Sequence, residues 1–590
     1  GLAFNGEKDE YSAGTGNTAY NGMQNVTINL MDNGVDLGII KGDLTWKGNT
    51  DATYTDEIAN TVKVRALNTN GYFYKSALEN GSLSIEADVD RDNITTGANR
   101  GDGFNDIKLE RERVILKNGS TINSSLGNGL ALGSNSKAIS NSESGYTLED
   151  GKVKITATQD TVGIYTNFGH IINKDKSSIE VNKGVATQGV NGSKIVNDGE
   201  IKVTENGTGI VGLAKTINGT ETYGVVAGRS NDNFIDIENN GNITVNDGIG
   251  IYAKNNVGGI TKDKIRVHNE GTINVGDNGK GIVIQTDDNV GSTLTLKEKA
   301  TNDIIVGNNG LGIHAESSDI SIDGNYGISL GDKSIAIQTK GNTNITGDSL
   351  NITANGSGAG ISFIGNNETL VNDVDITLNG TGSQEVLTGI YAKGTGKVEN
   401  VGNIASATDG TYGILSKGIE IGNTGDIDVK ADGIFVDGNN IVNSGSIKAG
   451  DSSMGLANIN ANKLENTGIV EVGNGTSTED SVAIYGKDVA LIKNTNTLKL
   501  KNNGIGIYGE NSAIENTGDI ISTGSVNYGI YSNNSEVNNR GNIVVGENSN
   551  GIFSTSNVIN TGNITTGDKS SGIFTKGTAN IDTTGITTVG

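Results

Sequence analysis

The chain has 590 residues, 89 of them glycine, with no proline, no cysteine, 4% aromatics and a net charge of −24. That balance excludes disulfide staples and thiol chemistry, disfavours nucleic acid or an anionic membrane as partner, and argues against a bulky globular core. An average chain holds about 5% proline; a chain with none suits a fold whose strands are nearly all paired on both sides, because proline removes a backbone donor. No apolar run approaches the roughly 18 residues a membrane helix needs. The start at Gly1 shows no basic leader and the end at Gly590 falls inside a repeat, so the sequence is expected to be a piece of a longer protein.

Residues 1–149 hold the single tryptophan, Trp46, with Tyr11, Tyr20, Tyr54, Tyr72, Phe73 and Tyr74 and the arginines Arg65, Arg91, Arg100, Arg111 and Arg113. Apolar and polar residues alternate, as in Ser82-Leu83-Ser84-Ile85-Glu86-Ala87. This segment reads as a β-rich cap or head with irregular coils, the covering that an open strand edge requires. Tyrosine, tryptophan and arginine are enriched at binding hot spots. Trp46, Tyr54, Tyr72, Tyr74, Arg91 and Arg100 are therefore the candidate ligand contacts, with packing inside a structural cap as the plainer alternative.

Residues 150–590 read as a repeat. It begins irregularly, with Gly163-Ile164-Tyr165 and the triplets Asn197-Asp198-Gly199, Asn239-Asn240-Gly241 and Asn269-Glu270-Gly271. From Gly389 one signature recurs as Gly-Ile-aromatic-small: Gly389-Ile390-Tyr391-Ala392, Gly433-Ile434-Phe435-Val436, Gly506-Ile507-Tyr508-Gly509, Gly529-Ile530-Tyr531-Ser532, Gly551-Ile552-Phe553-Ser554 and Gly572-Ile573-Phe574-Thr575. About ten residues later a second follows, apolar-x-Asn-x-Gly-x-Ile, as in Ile514-Glu515-Asn516-Thr517-Gly518-Asp519-Ile520. The glycines of that second signature stand at 402, 425, 445, 468, 518, 541, 562 and 585, with Asn496 in the remaining place. The step is 20–23 residues, except for one of 28 where Val472–Asp480 is inserted.

Runs such as Asn542-Ile543-Val544-Val545 are too short for helices and are bounded by glycine and asparagine. The unit they imply is one coil of an all-β, right-handed parallel β-helix, a solenoid of about 22-residue coils. One coil cannot bury its own apolar residues; stacked coils make a continuous core. Asn423, Asn443, Asn466, Asn494, Asn516, Asn539 and Asn560 share one repeat position, so their amides are expected to run as a hydrogen-bonded ladder from coil to coil. Asparagine also tolerates the left-handed conformation of a tight corner, and the glycine two residues on is expected to form a further corner. The recurring aromatics Tyr391, Phe435, Tyr485, Tyr508, Tyr531, Phe553 and Phe574 form a stripe. It is either a glycan-stacking track or ring-on-ring packing between coils, and packing is the simpler reading.

With Gly-Ile-Tyr/Phe-Ala/Ser followed by Asn-Thr-Gly-Asp/Asn-Ile, the repeats of about 150–590 resemble the passenger domains of fusobacterial type Va (monomeric) autotransporters, which include large outer-membrane adhesins. The resemblance implies export through a C-terminal outer-membrane β-barrel, absent from this sequence, and display on the outside of the cell. It also implies a monomer that attaches to a host-cell receptor, host glycans or partner bacteria.

A polysaccharide-acting lyase or glycosidase on the same scaffold is the rival reading. Such enzymes need clustered carboxylates, or calcium with a basic residue, on one face. Here acidic residues scatter over turn positions such as Asp426, Glu471 and Asp519. Gly347-Asp348-Ser349-Leu350 matches an esterase motif, but in the esterases that carry it the histidine follows the motif, whereas His170, His268 and His314 all precede Ser349. His314, in Gly312-Ile313-His314-Ala315, stands where the repeat has an aromatic. The histidines are too far apart in sequence for a zinc site. No enzyme activity, cofactor or metal is expected. A trimeric autotransporter head, to which Leu132–Ala138 is faintly similar, is disfavoured by the length of the coil.

Overall fold

The computed structural model describes backbone and side chains over residues 170–189, 193–213, 235–254, 265–286, 292–299, 303–380 and 386–590. Elsewhere it describes strand backbone, with side chains between 1 and 169 only at 148, 154 and 162–165. All regular structure among the described residues is β-strand, and nearly all pairing is parallel. The fold is an all-β parallel solenoid. The chain forms two compact units, Gly1–Ser317 and Ser318–Gly590.

In the first unit, backbone strands Leu37–Lys41, Phe73–Lys75, Asn105–Leu109, Asn128–Leu132 and Thr161–Asn167 pair in succession, Leu37 with Phe73, Phe73 with Ile107, Ile107 with Leu130 and Leu130 with Ile164. One antiparallel pair, Thr53–Thr55 with Thr61–Ala66, interrupts the parallel pattern. From Ile164 the register continues through Thr187, Ile210, Ile251, Ile282 and Ile313. The apolar residues in this series are fully buried.

The second unit shows the coil most clearly. Ile390, Ile414, Ile434, Leu456, Ile484, Ile507, Ile530, Ile552 and Ile573 stack in register. A second apolar column, Ile404, Ile427, Ile447, Val470, Leu498, Ile520, Ile543 and Ile564, also stacks in register and is buried. Alternation of buried and exposed residues, as in Ile543–Val545, puts one face of each strand inside. Short strands are not universal: Gly358–Gly380 runs 23 residues through its corners without a break.

The glycine of the first signature is fixed by this geometry. A Cβ on Gly529 would lie 2.5 Å from the Ile543 methyl of its own coil and 2.5 Å from the Gly551 carbonyl oxygen of the next. Gly389 has the same relation to Ile404 and Gly413, each at 2.6 Å. The two signatures thus belong together: the glycine makes room for the isoleucine that follows it round the coil.

A correction applies at the second glycine and at the ladder asparagine. Neither has a left-handed backbone. A Cβ on Gly425, Gly445, Gly541 or Gly562 would overlap the carbonyl oxygen of the matching glycine one coil below. Close approach of stacked backbones, not corner dihedrals, selects glycine there. The left-handed asparagines are others, including Asn460, Asn503, Asn511, Asn534 and Asn548. Ala483 and Asn496, which replace glycine in the two columns, both follow the Val472–Asp480 insertion.

Candidate functional site

The interior polar column is structural. Asn372, Asn400, Asn423, Asn443, Asn466, Asn494, Asn516, Asn539 and Asn560 are buried, and each Nδ2 donates to the Oδ1 of the next at 2.7–2.8 Å. The second amide proton goes to a carbonyl two residues on, as from Asn516 to Gly518 at 2.8 Å. The backbone carbonyl of Asn516 accepts from Arg540 N–H at 2.7 Å. Every polar group of an interior rung is therefore matched, as burial demands. The ladder starts at Asn372 because Ile345 occupies the register position below it, which leaves the Asn372 Oδ1 without a partner. It ends where Asn560 meets the Thr583 hydroxyl at 3.2 Å. A second ladder, Asn173, Asn197, Asn239 and Asn269, runs in the first unit.

The outer surface carries the candidate binding residues. Tyr391, Leu415, Phe435, Ala457, Tyr485, Tyr508, Tyr531, Phe553 and Phe574 occupy one register column. From Tyr485 onward every coil contributes a ring. Tyr485 meets Tyr508 at 5.3 Å and Tyr508 meets Tyr531 at 4.8 Å, both edge to face. Tyr531 and Phe553 are stacked at 4.9 Å, and Phe553 and Phe574 at 5.5 Å. From Tyr485 to Phe574 the rings pack on one another coil by coil, yet Phe574 remains 48% exposed, and Tyr391, whose neighbour in the column is Leu415, is 39% exposed. A polar group flanks the column where Lys487 bridges Glu510 at 2.9 Å beside the Tyr485 hydroxyl. Burial raises the pKa of that hydroxyl, and the Glu510 charge adds to the effect.

Trp46, Tyr54, Tyr74 and Arg91 fall on strands Leu44–Trp46, Thr53–Thr55, Phe73–Lys75 and Asp90–Ile94, but their side chains, and Tyr72 and Arg100 entirely, lie outside the described residues. His314 continues the column of Tyr252 and Val283 and sits 3.2 Å from Glu316. Ser349 of the esterase-like motif donates to the Asn325 side chain within an exposed corner. Among the described residues no group of three or more His, Cys, Asp or Glu side chains is placed to hold a metal ion.

Two features escaped sequence reading. Asp432 accepts Met454 N–H at 2.7 Å, and burial raises its pKa against that hydrogen bond, with Glu479 of the insertion adding repulsion. Tyr528, outside the repeated motif, stands beside the aromatic column at 5.4 Å from Tyr531 and 6.2 Å from Phe553.

The fold defines the class: a parallel β-solenoid, consistent with extracellular repeat-domain proteins such as autotransporter passengers. Such a scaffold can host adhesive surfaces or catalytic residues. Comparison of the chain with protein-family profiles, curated proteins and solved structures gives no match.

Proposed function

We propose that the chain is the passenger of a bacterial cell-surface adhesin, a scaffold that presents binding surfaces and performs no catalysis. Its partners are a host-cell receptor, host glycans or other bacteria. The observation that carries the reading is the aromatic column: successive coils hold a ring at the same outer position and keep it part-exposed. Aromatic side chains supply large contact area at small entropic cost. The net charge of −24 suits a surface that stays soluble at high local density. In this reading the protein reaches the outer membrane as a type Va autotransporter, anchored by a C-terminal β-barrel encoded beyond this sequence.

The test is attachment of the purified chain to host cells, partner bacteria and a glycan array, with reducing-end release measured on the bound glycans. Saturable binding without released ends is expected. Released ends would favour the polysaccharide-acting enzyme, and absence of binding to every surface would overturn the adhesin.

A further inference from the structure

One outer column of the second unit carries charge that no described residue pairs with. Lys340, Ile364, Lys393 and Lys417 are register partners in four successive coils, and all four are exposed. Several other lysines of the unit are tied to carboxylates: Lys397 to Glu399, Lys448 to Asp428, Lys487 to Glu510 and Lys493 to Glu465, at 2.9–3.2 Å. Among the described residues, Lys340, Lys393 and Lys417 form no ion pair and no side-chain hydrogen bond. Strands one coil apart lie about 4.8 Å apart, so Lys393 and Lys417 are direct neighbours. Like charges opposite one another destabilise a sheet, so stacking of the coils does not call for this pair, and the net charge of −24 makes such a run the exception.

Apolar surface shares the stripe. Ile364, between Lys340 and Lys393, is 46% exposed. Tyr391, two residues before Lys393 and so on the same face, has Ser362 and Leu415 as column neighbours instead of rings. The stripe stops at Asp437, the register partner of Lys417, which accepts from the Asn460 amide at 3.2 Å.

We propose that this stripe is the docking surface for an acidic amphipathic helix of a partner protein. Charge complementarity sets the sign, and spacing sets the form. One face of an α-helix recurs at i, i+3, i+7 and i+10, at a mean step of about 5 Å along its axis, close to the coil spacing. Same-face residues of an extended strand recur at about 6.8 Å and fall out of step within two coils. A helix laid along the stack places carboxylates at i, i+7 and i+10 over Lys340, Lys393 and Lys417, and an apolar residue at i+3 over Ile364 with Tyr391 beside it. A long uniform polyanion would leave Ile364 without a partner and run onto Asp437. This inference rests on the adhesin reading and makes the partner at this surface a protein.

The experiment measures fluorescence anisotropy of a labelled alanine-rich helical peptide with Glu at i, i+7 and i+10 and Leu at i+3. A scramble of the same composition, heparin and phosphatidylserine vesicles are compared with it. The full native chain is set against Lys393→Glu with Lys417→Glu, against Ile364→Ser, and against Lys499→Glu in the Ile521 column, with host-cell attachment and melting temperature read in parallel. The double charge reversal is expected to weaken peptide binding at least about tenfold and to lower cell attachment at an unchanged melting temperature. Ile364→Ser weakens peptide binding several-fold with the salt dependence retained, and Lys499→Glu changes nothing. Equal binding of the scramble, unchanged binding or attachment after charge reversal, or preference for heparin or vesicles overturns the surface. A native chain that attaches to no cell overturns the adhesin reading itself.

Discussion

Replacing Asn516 by alanine removes an interior rung of the amide ladder. The Asn494 Nδ2 then loses its acceptor and the Asn539 Oδ1 its donor. Both are buried, and each unmatched group costs about 1–3 kcal/mol, so the loss is about 2–6 kcal/mol. The first rung is the internal control. Asn372→Ala orphans the Asn400 Oδ1 but deletes the Asn372 Oδ1, which has no partner already. Each substitution also frees one carbonyl, of Gly518 or Val374, so the difference between them is about two buried polar groups. A stacked solenoid need not unfold in one step, which makes local hydrogen exchange the right assay. Arg540 N–H, bonded to the Asn516 carbonyl, reports the interior site, and Val401 N–H, bonded to the Asn372 carbonyl, reports the first rung. Protection should fall at least about thirtyfold more at the interior site, the equivalent of about 2 kcal/mol. Equal losses at the two positions would refute the ladder as an energetic device and leave it as filling.

Three further outcomes are expected. Gly541→Ala, whose Cβ would overlap the Gly518 carbonyl, should destabilise by more than about 2 kcal/mol in urea unfolding, whereas Ala483→Gly should cost no more than about 1 kcal/mol; similar costs would contradict the close-approach argument. Val526 has φ = 60°, a left-handed conformation unfavourable for a β-branched residue, so Val526→Asn should stabilise by about 1 kcal/mol or more, read as a higher melting temperature. Burial raises the folded pKa of Asp432 above the ordinary range of an aspartate, so its contribution is present below that range and declines as pH rises through the folded pKa. Asp432→Asn should therefore be more stable than the native chain at neutral pH, with the gap closing in acid; a constant gap across pH would refute the assignment.

Much of the architecture was legible because each coil repeats the same steric problem. The spacing of Gly529-Ile530 and Asn539-x-Gly541-x-Ile543 encodes which residues stack, since the glycine exists to admit the isoleucine methyl. The place of the ladder could be read from Asn516 and its counterparts; the reason for the glycine beside it could not, because the overlap is with a backbone about 20 residues away. Nor could the insertion's approach to Asp432, the strain at Val526 or the placement of Tyr528 be read, since each depends on what one coil lays against the next. The candidate contacts chosen between Trp46 and Arg100 rested on residue type alone, without a repeat to fix their register.

The central claim is that successive coils lie directly upon one another in the stated register. Because the chain contains no cysteine, a paired-cysteine experiment is free of background. Ile521 and Val544 are register partners, both exposed, at an interstrand spacing of about 4.8 Å that lies within the range a disulfide spans. Ile521→Cys with Val544→Cys should oxidise readily to an intramolecular bond, and Ile521→Cys with Thr565→Cys, two coils apart, should not. Bond formation in the second pair and not the first would contradict the account.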